Sequence, residues 1–308
     1  MRKWLILFFV GFVQLSWSQQ LAQYSQWAFH QFSFNPAHAG IQKCVDIHSI
    51  YRTQWVGFTG APNSGMLTVS VPVSQLRKKF LNTRHGLGGR FENDRIGNFA
   101  TNRINLAYAA HFNFNQNDRL SMGLYAGIVQ FSFDPTTATT LTSDPDVMRQ
   151  ANIVKPDFTA GFWYNSTNYY LGLTVQNLTR SQWTGLGIDS RHRFHVNMVG
   201  GYKFKLSETN SLLPQLIVRI PPKGPVSYDL NLHFDYMNRF GLGLGYRNTD
   251  ALIAFASFKI RDQFMIMYSF DYTLSGIQKV SSNTHEISIK FSTCRNREGG
   301  TTSCPLFQ

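Results

Sequence analysis

Residues 226–246 read VSYDLNLHFDYMNRFGLGLGY, and this stretch decides the fold. Val226, Tyr228, Leu230, Leu232, Phe234 and Tyr236 fall on one face of an extended chain, with Ser227, Asp229, Asn231, His233 and Asp235 on the other. After a turn at Met237, Asn238 and Arg239, the apolar face resumes with Phe240, Leu242, Leu244 and Tyr246, opposite Gly241, Gly243, Gly245 and Arg247. The period is that of a strand, not of a helix. Each arm is about ten residues long, enough for a tilted strand to cross a bilayer, and aromatics cap the apolar face at both ends. The stretch reads as a membrane hairpin. A soluble sandwich shows the same alternation, so the rest of the chain has to fix the environment.

The 308-residue chain is 43% hydrophobic and 15% aromatic but only 15% charged, low in charge for a soluble domain of this size. Its mean hydropathy of -0.20 excludes a helical membrane protein. Nothing after residue 18 approaches the apolar run that a spanning helix needs. A polar average with strand patterning fits an all-β transmembrane barrel of the outer-membrane type, whose lipid-facing and lumen-facing residues cancel in a hydropathy sum.

Residues 1–18 read as a signal peptide: Arg2 and Lys3 form the basic region, Trp4 to Val13 the apolar core, and Ser16 and Ser18 precede the cleavage site. Export by the Sec pathway and removal of this leader are expected. Losing Arg2 and Lys3 takes the net charge from +12 to about +10, which favours anionic surfaces. The charges are scattered, which argues against nucleic acid. No Cys follows the cleavage site, which argues against a lipoprotein. In an oxidising compartment Cys294 and Cys304, both in the C-terminal tail, can pair and leave Cys44 alone.

Residues 19–43 show no clean period and end in Asn-Pro and Ala-Gly turn signals, which places them outside the strand ladder, in the lumen or at the periplasmic rim. About fourteen strand-like segments follow in the barrel region, 44–291. They cover residues 43–51, 64–73, 86–94, 99–114, 119–133, 157–165, 169–176, 192–206, 211–220, 226–237, 239–247, 251–259, 263–274 and 284–291. Their connections alternate. Short turns at 115–118, 166–168, 207–210, 238 and 261–262 interleave with long ones at 54–63, 134–156, 177–191 and 275–283, as a barrel with short periplasmic turns requires. A longer connection at 74–84, with Arg77, Lys78 and Lys79, breaks the rule. In 119–133 the alternation loses phase, and a bulge is expected there.

Chemistry is not visible. Nine His and many Ser guarantee chance pairs, and no spacing singles out a nucleophile and base. His192 and His195 fall on opposite faces of their strand, so they are not a ligand pair. The acids of 134–157 match no calcium loop. Gly86, Gly88 and Gly89 lie on a strand with no helix behind it, so they make no phosphate cradle and instead allow bending or close packing. No cofactor and no metal are expected, and the chain reads as no enzyme.

Several stretches resemble the PorP/SprF family of the type IX secretion system, outer-membrane proteins of Bacteroidetes. They are QYSQ at 23–26, FNPAHAG at 34–40, YRTQWVGFTGAP at 51–62, NDRIG at 93–97, YSFDYTLS at 268–275 and THEI at 284–287. The resemblance implies a non-enzymatic barrel that helps export proteins bearing a C-terminal secretion signal and holds them on the surface, gliding adhesins among them. It also implies periplasmic partners from the same machine. The tail at 292–308, with its two Cys, departs from the usual family ending, in which the last strand nearly closes the sequence.

Two groups of residues are candidates for partner binding. Arg52, Gln54, Trp55 and Phe58 stand where the first strand meets an outward connection, either as recognition anchors or as braces that plug the lumen. Trp183, Leu186 and Ile188 offer apolar anchors on a long loop, unless that loop folds inward to close the pore. The rival readings are a porin or hydrophobic-substrate channel and an outer-membrane hydrolase.

Overall fold

The computed structural model describes residues 22–42, 44–57, 59–73, 83–114, 117–137, 151–179, 182–183, 190–191, 194–260 and 263–293. Fourteen antiparallel strands close into a barrel, numbered here along the chain: β1 Asp46–Thr53, β2 Asn63–Val73, β3 Thr83–Ile96, β4 Phe99–Asn113, β5 Arg119–Phe133, β6 Ala151–Asn165, β7 Tyr169–Gln176, β8 His195–Tyr202, β9 Asn210–Ile220, β10 Ser227–Tyr236, β11 Phe240–Arg247, β12 Ala251–Ile260, β13 Phe264–Thr273 and β14 Thr284–Ser292. Each strand pairs with its sequence neighbours. The last strand returns to the first, with Asp46 opposite Ser292 and Thr53 opposite His285, so no edge is left at the closure. Among the described residues no helix is long and apolar enough to cross a membrane; the chain crosses with strands.

The hairpin quoted above is β10 and β11, in register from Asp229 with Arg247 to Tyr236 with Phe240. Leu230, Leu232, Leu242 and Leu244 are exposed on the outside, whereas Asp229, Asn231, His233 and Arg247 are buried in the lumen. The same inversion runs round the wall: exposed Ile104, Leu106, Ile266, Ile287 and Ile289 face lipid, and buried Arg103, Asn105, Asp271, Glu286 and Lys290 face inward. A lipid-facing Leu costs nothing in this solvent, while every inward polar group has to find a partner across the lumen. The rim carrying Asp46 and Ser292 also has the short turns, and by the usual asymmetry of such barrels it is the periplasmic, inner rim.

Three strand expectations are corrected. First, β5 carries no bulge; its register is continuous from Phe99 opposite Phe133 to Asn113 opposite Arg119. The phase seemed lost because both of its faces carry apolar residues: Met122, Leu124 and Ile128 meet lipid, while Tyr125 and Val129 are buried inside. Second, β6 begins at Ala151, inside the stretch expected to be loop, despite Pro156. That proline is tolerated because β7 pairs with β6 only from Ala160 to Asn165, leaving its upper length without a strand partner on that side among the described residues. Third, the eighth stave starts at His195 and is interrupted at Lys203, after which Phe204 and Lys205 continue it against β9.

Residues 22–42 lie inside the barrel as a plug of short turns: Trp27–Phe29, Gln31–Phe34 and Pro36–His38. Its apolar side packs on β4 to β9, with Trp27, Ala28 and Ala37 against Trp163, Tyr170, Val199 and Ile217, and Phe32 against Tyr125. Its polar side faces β1 and β10 to β14. Cys44, which a Cys294–Cys304 pair would leave alone, is disulfide-bonded, beside the closure where Val45 and Thr293 exchange hydrogen bonds. Cys294 and Cys304 lie outside the described residues.

Candidate functional site

The FNPAHAG stretch shows why the plug has its shape. Asn35 caps a short turn by accepting from the Ala37 amide at 3.0 Å, and Pro36 opens that turn with no amide to satisfy. The Asn35 amide donates to the Phe162 carbonyl at 3.1 Å, docking the turn on β6. Gly40 then reverses the chain at φ +62, a conformation that favours glycine, and its amide donates to Ser70 at 2.7 Å. The wall makes room in turn. A Cβ on Gly86 would overlap the Ala39 carbonyl, and one on Gly123 would overlap Pro36 and Ala37, so these glycines serve close approach of the plug.

In the outer half of the lumen the plug is held by charge. The Ser25 and Gln26 amides donate to the two Glu286 carboxylate oxygens at 2.8 and 2.9 Å. The Ser25 hydroxyl donates to Asp271 at 2.6 Å and accepts from Arg52 at 2.7 Å and Arg247 at 3.1 Å. Arg52 bridges Asp271 and Glu286, each at 2.9 Å, with 2% of its side chain exposed. Arg247 reaches Asp229 at 3.3 Å and Asp271 at 3.5 Å, and Arg219 closes the chain on Asp229 at 2.8 Å. Three arginines thus face three lumen acids. Buried charges persist only when paired and hydrogen-bonded, and here the plug backbone supplies part of the pairing.

Midway down, Arg90 donates to the Ser33 carbonyl at 2.6 Å and to Asn105 at 2.8 Å, and its guanidinium sits 4.7 Å from the centre of the Tyr125 ring. Lower still, His111 bonds the Ala39 carbonyl at 2.8 Å and Ser121 at 2.7 Å, and Arg119 donates to the Ile41 carbonyl at 3.0 Å.

The inner half differs. A cavity of about 100 Å³, room for several waters, is lined by His30, His38, His48, His233, Asp46 and Lys290, among others. The Nε2 atoms of all four histidines make no hydrogen bond among the described residues. Burial pushes the His38 imidazole down to about 3 and the His30 imidazole well below its ordinary value; both are carried by the plug. Despite the four imidazoles, no group of three or more side chains among the described residues is arranged to hold a metal.

Arg52 therefore faces the lumen and braces the plug. Gln54 and Trp55 stand in the turn above it: the Gln54 amide donates to the Pro62 carbonyl at 2.8 Å, and the Trp55 amide donates to Thr284 at 3.1 Å with its backbone at φ 54. Phe58, Leu186 and Ile188 lie outside the described residues. Trp183 belongs to a two-residue ribbon with Ser190–Arg191. The residues that hold the plug, Ser25, Gln26, Asp229, Arg247, Asp271 and Glu286, are absent from the sequence-based site. Their signal was the inward polar face of β10, β13 and β14, together with the QYSQ, YRTQW, YSFDY and THEI stretches, which all converge here.

Residues 16–291 match the family model described as type IX secretion system membrane protein PorP/SprF. Among solved structures the chain is similar to the CymD monoaromatic hydrocarbon channel, at 11% identity over 88% of this chain and 92% of that one, with a TM-score of 0.50. It is also similar to a Pseudomonas aeruginosa FadL homologue, at 11% identity over 88% and 94% with a TM-score of 0.47. The Ralstonia pickettii toluene transporter TbuX follows at 9% over 84% and 90%, with a TM-score of 0.47. At 11% identity the likeness to CymD shows the outer-membrane barrel fold alone. No curated protein matches the chain.

Proposed function

This chain belongs to the PorP/SprF family of type IX secretion system membrane proteins, and from that premise we propose that it acts as a non-enzymatic docking and assembly barrel rather than as a pore. It assists the export and surface attachment of secreted proteins that carry a C-terminal secretion signal, gliding adhesins among them. Periplasmic components of the same machine meet its inner rim, and outer-membrane lipid surrounds it. The Sec pathway delivers it, and the leader at 1–18 is removed.

The observation that supports this reading is the latched plug. A lumen occupied by the chain's own segment, tied by Arg52 and Arg247 to Ser25, offers a rigid ring of connections in place of a conduit. The cargo's C-terminal domain docks on the long outer connections, with Trp183, Leu186 and Ile188 as apolar anchors and Gln54, Trp55 and Phe58 on the neighbouring turn. Deleting residues 179–187 tests this. The barrel is expected to assemble, read as heat-modifiable migration, while surface display of the cargo falls. Unchanged display on an assembled barrel removes this loop as the docking site.

The rivals have less support. A channel for hydrophobic substrates needs a continuous path, whereas residues 22–42 occupy the lumen and the cavity beside them, about 100 Å³, mixes Phe29, Trp163 and Leu213 with imidazoles, Arg119 and Lys290. For a hydrolase, Ser121 and His111 lie within 2.7 Å, but both are buried beneath the plug and Ala39 occupies the far nitrogen of His111.

A further inference from the structure

The outside of the barrel carries a polar feature that neither the plug nor the loops explain. On β4 the lipid-facing residues are apolar from Phe112 through Ala110, Tyr108 and Leu106 to Ile104, and then change to Asn102. β12 spends its whole outward face, Leu252, Ala254, Ala256, Phe258 and Ile260, on the same apolar span and ends there. Strands β3 to β6 therefore continue above the apolar band. Their exposed top apolar row, Phe91, Ile104 and Ile128, is followed one pair further out by three amides side by side on β3, β4 and β5, and the row ends diagonally on Asn152 of β6, one pair beyond the exposed Val154 that stands opposite Gln130. Asn93 donates to Asn102 at 2.6 Å, Asn102 to Gln130 at 3.3 Å, and Gln130 to Asn152 at 3.0 Å.

The ladder is not saturated. Each carboxamide has two N–H donors and a carbonyl with two lone pairs. Along the row each donor spends one N–H, so Asn93, Asn102 and Gln130 keep a second, Asn152 keeps both, and the Asn93 carbonyl stays free of this row. Beside it stands exposed Arg95, opposite Asn63 and Ala100. Arg95 makes no ion pair among the described residues. The nearby acid is Asp134, already engaged by the Thr136 amide at 3.0 Å and hydroxyl at 2.7 Å.

We propose that this outward row, Asn93, Asn102, Gln130 and Asn152 with Arg95, is a seat for the headgroup of an outer-leaflet glycolipid, sugar hydroxyls on the amides and a phosphate on the guanidinium. Its height fits that occupant. A free amide row inside hydrocarbon is costly, and one placed just above the apolar band meets the sugar and phosphate layer with its remaining donors outward. The charge fits too: an unpaired guanidinium takes a phosphate in bidentate geometry. On the opposite wall the outer boundary is made instead by Tyr228, Tyr246 and Tyr272, the ordinary aromatic girdle. This seat rests on the outer-membrane assignment and not on the docking of cargo, so either can fail alone.

The test is native mass spectrometry of the full chain, extracted from outer membrane and washed in detergent, with lipopolysaccharide as the probe added back. The wild type is expected to retain lipopolysaccharide, Arg95→Ala to lower the retained fraction by about tenfold for a lost charge-assisted hydrogen bond, Asn102→Leu to lower it by about fivefold for a lost neutral one, and Tyr246→Leu on the far wall to leave it unchanged. If Asn102→Leu fails to assemble, Arg95→Ala decides alone, since its side chain lies outside the ladder. Equal retention by the wild type and Arg95→Ala overturns the proposal. So does loss of a co-purified protein from Arg95→Ala with lipopolysaccharide intact, which would make the surface a protein interface.

Discussion

The two halves of one lumen are built on opposite terms. In the outer half, three arginines and three acids form one network that reaches Ser25 and Gln26, and their charges are paired at 2.8 to 3.5 Å. In the inner half, four imidazoles border a cavity with their Nε2 atoms unpaired among the described residues. Both halves are buried, so depth alone does not separate them. What separates them is whether the plug supplies the missing partner: above, its backbone amides complete a carboxylate, while below, its own His30 stacks on His48 and adds another unsatisfied ring. The charged network therefore fixes the plug at Ser25 and Gln26, whereas the four imidazoles add nothing to the ties that His111 and Arg119 make to the Ala39 and Ile41 carbonyls.

Arg52→Ala breaks that contrast most severely. It leaves Asp271 and Glu286 with less compensation in a dry site, a loss of about 3–5 kcal/mol for one partner of a buried pair. A fall in the temperature at which the folded barrel migrates as unfolded, far larger than for any inner-half substitution, is the expected result.

Acid should sharpen the contrast from the other side. His30 and His38 are held below 6.5 in the folded chain, so between the folded and unfolded values the unfolded chain binds more protons and stability falls as pH falls. Lowering pH from about 6.5 to 4.5 should lower the same melting temperature, with His38 alone costing about 2.3 kcal/mol of stability and His30 acting in the same direction. Protease access near Phe29 should rise before access near Ser25. Simultaneous exposure of the two sites would remove the distinction between halves.

The smallest effect is expected from His233→Leu. Its Nε2 has no hydrogen bond among the described residues and its ring packs on Phe29 and Phe255, so an apolar replacement changes stability by no more than about 1 kcal/mol, read by the same shift.

The staves were legible in the sequence because lipid imposes one rule on one face, and β10, β11, β12 and β13 obey it without exception. The strand that misled was β5, whose inner face is apolar for a reason outside its own sequence: it is the seat of Phe32, Pro36 and Ala37. The plug itself showed no period because its partners are scattered round the wall, at Gly86, Ser70, Phe162 and Glu286, and their spacing along the chain reflects barrel geometry. Arg52 was singled out, but its role was not. A buried arginine in a short motif reads equally as an anchor for a partner or as a brace, and only its 2.9 Å approaches to Asp271 and Glu286 make it a brace. The amide row stayed hidden because Asn93, Asn102, Gln130 and Asn152 are far apart in sequence and meet only through strand register.

The central claim is that the chain closes its own barrel with residues 22–42, held from the outer half. Ion conductance of the wild-type barrel in a planar bilayer tests it directly. A silent wild type, with conductance appearing in Arg52→Ala, is the predicted result; a steady open conductance in the wild type, unchanged by Arg52→Ala, would contradict it.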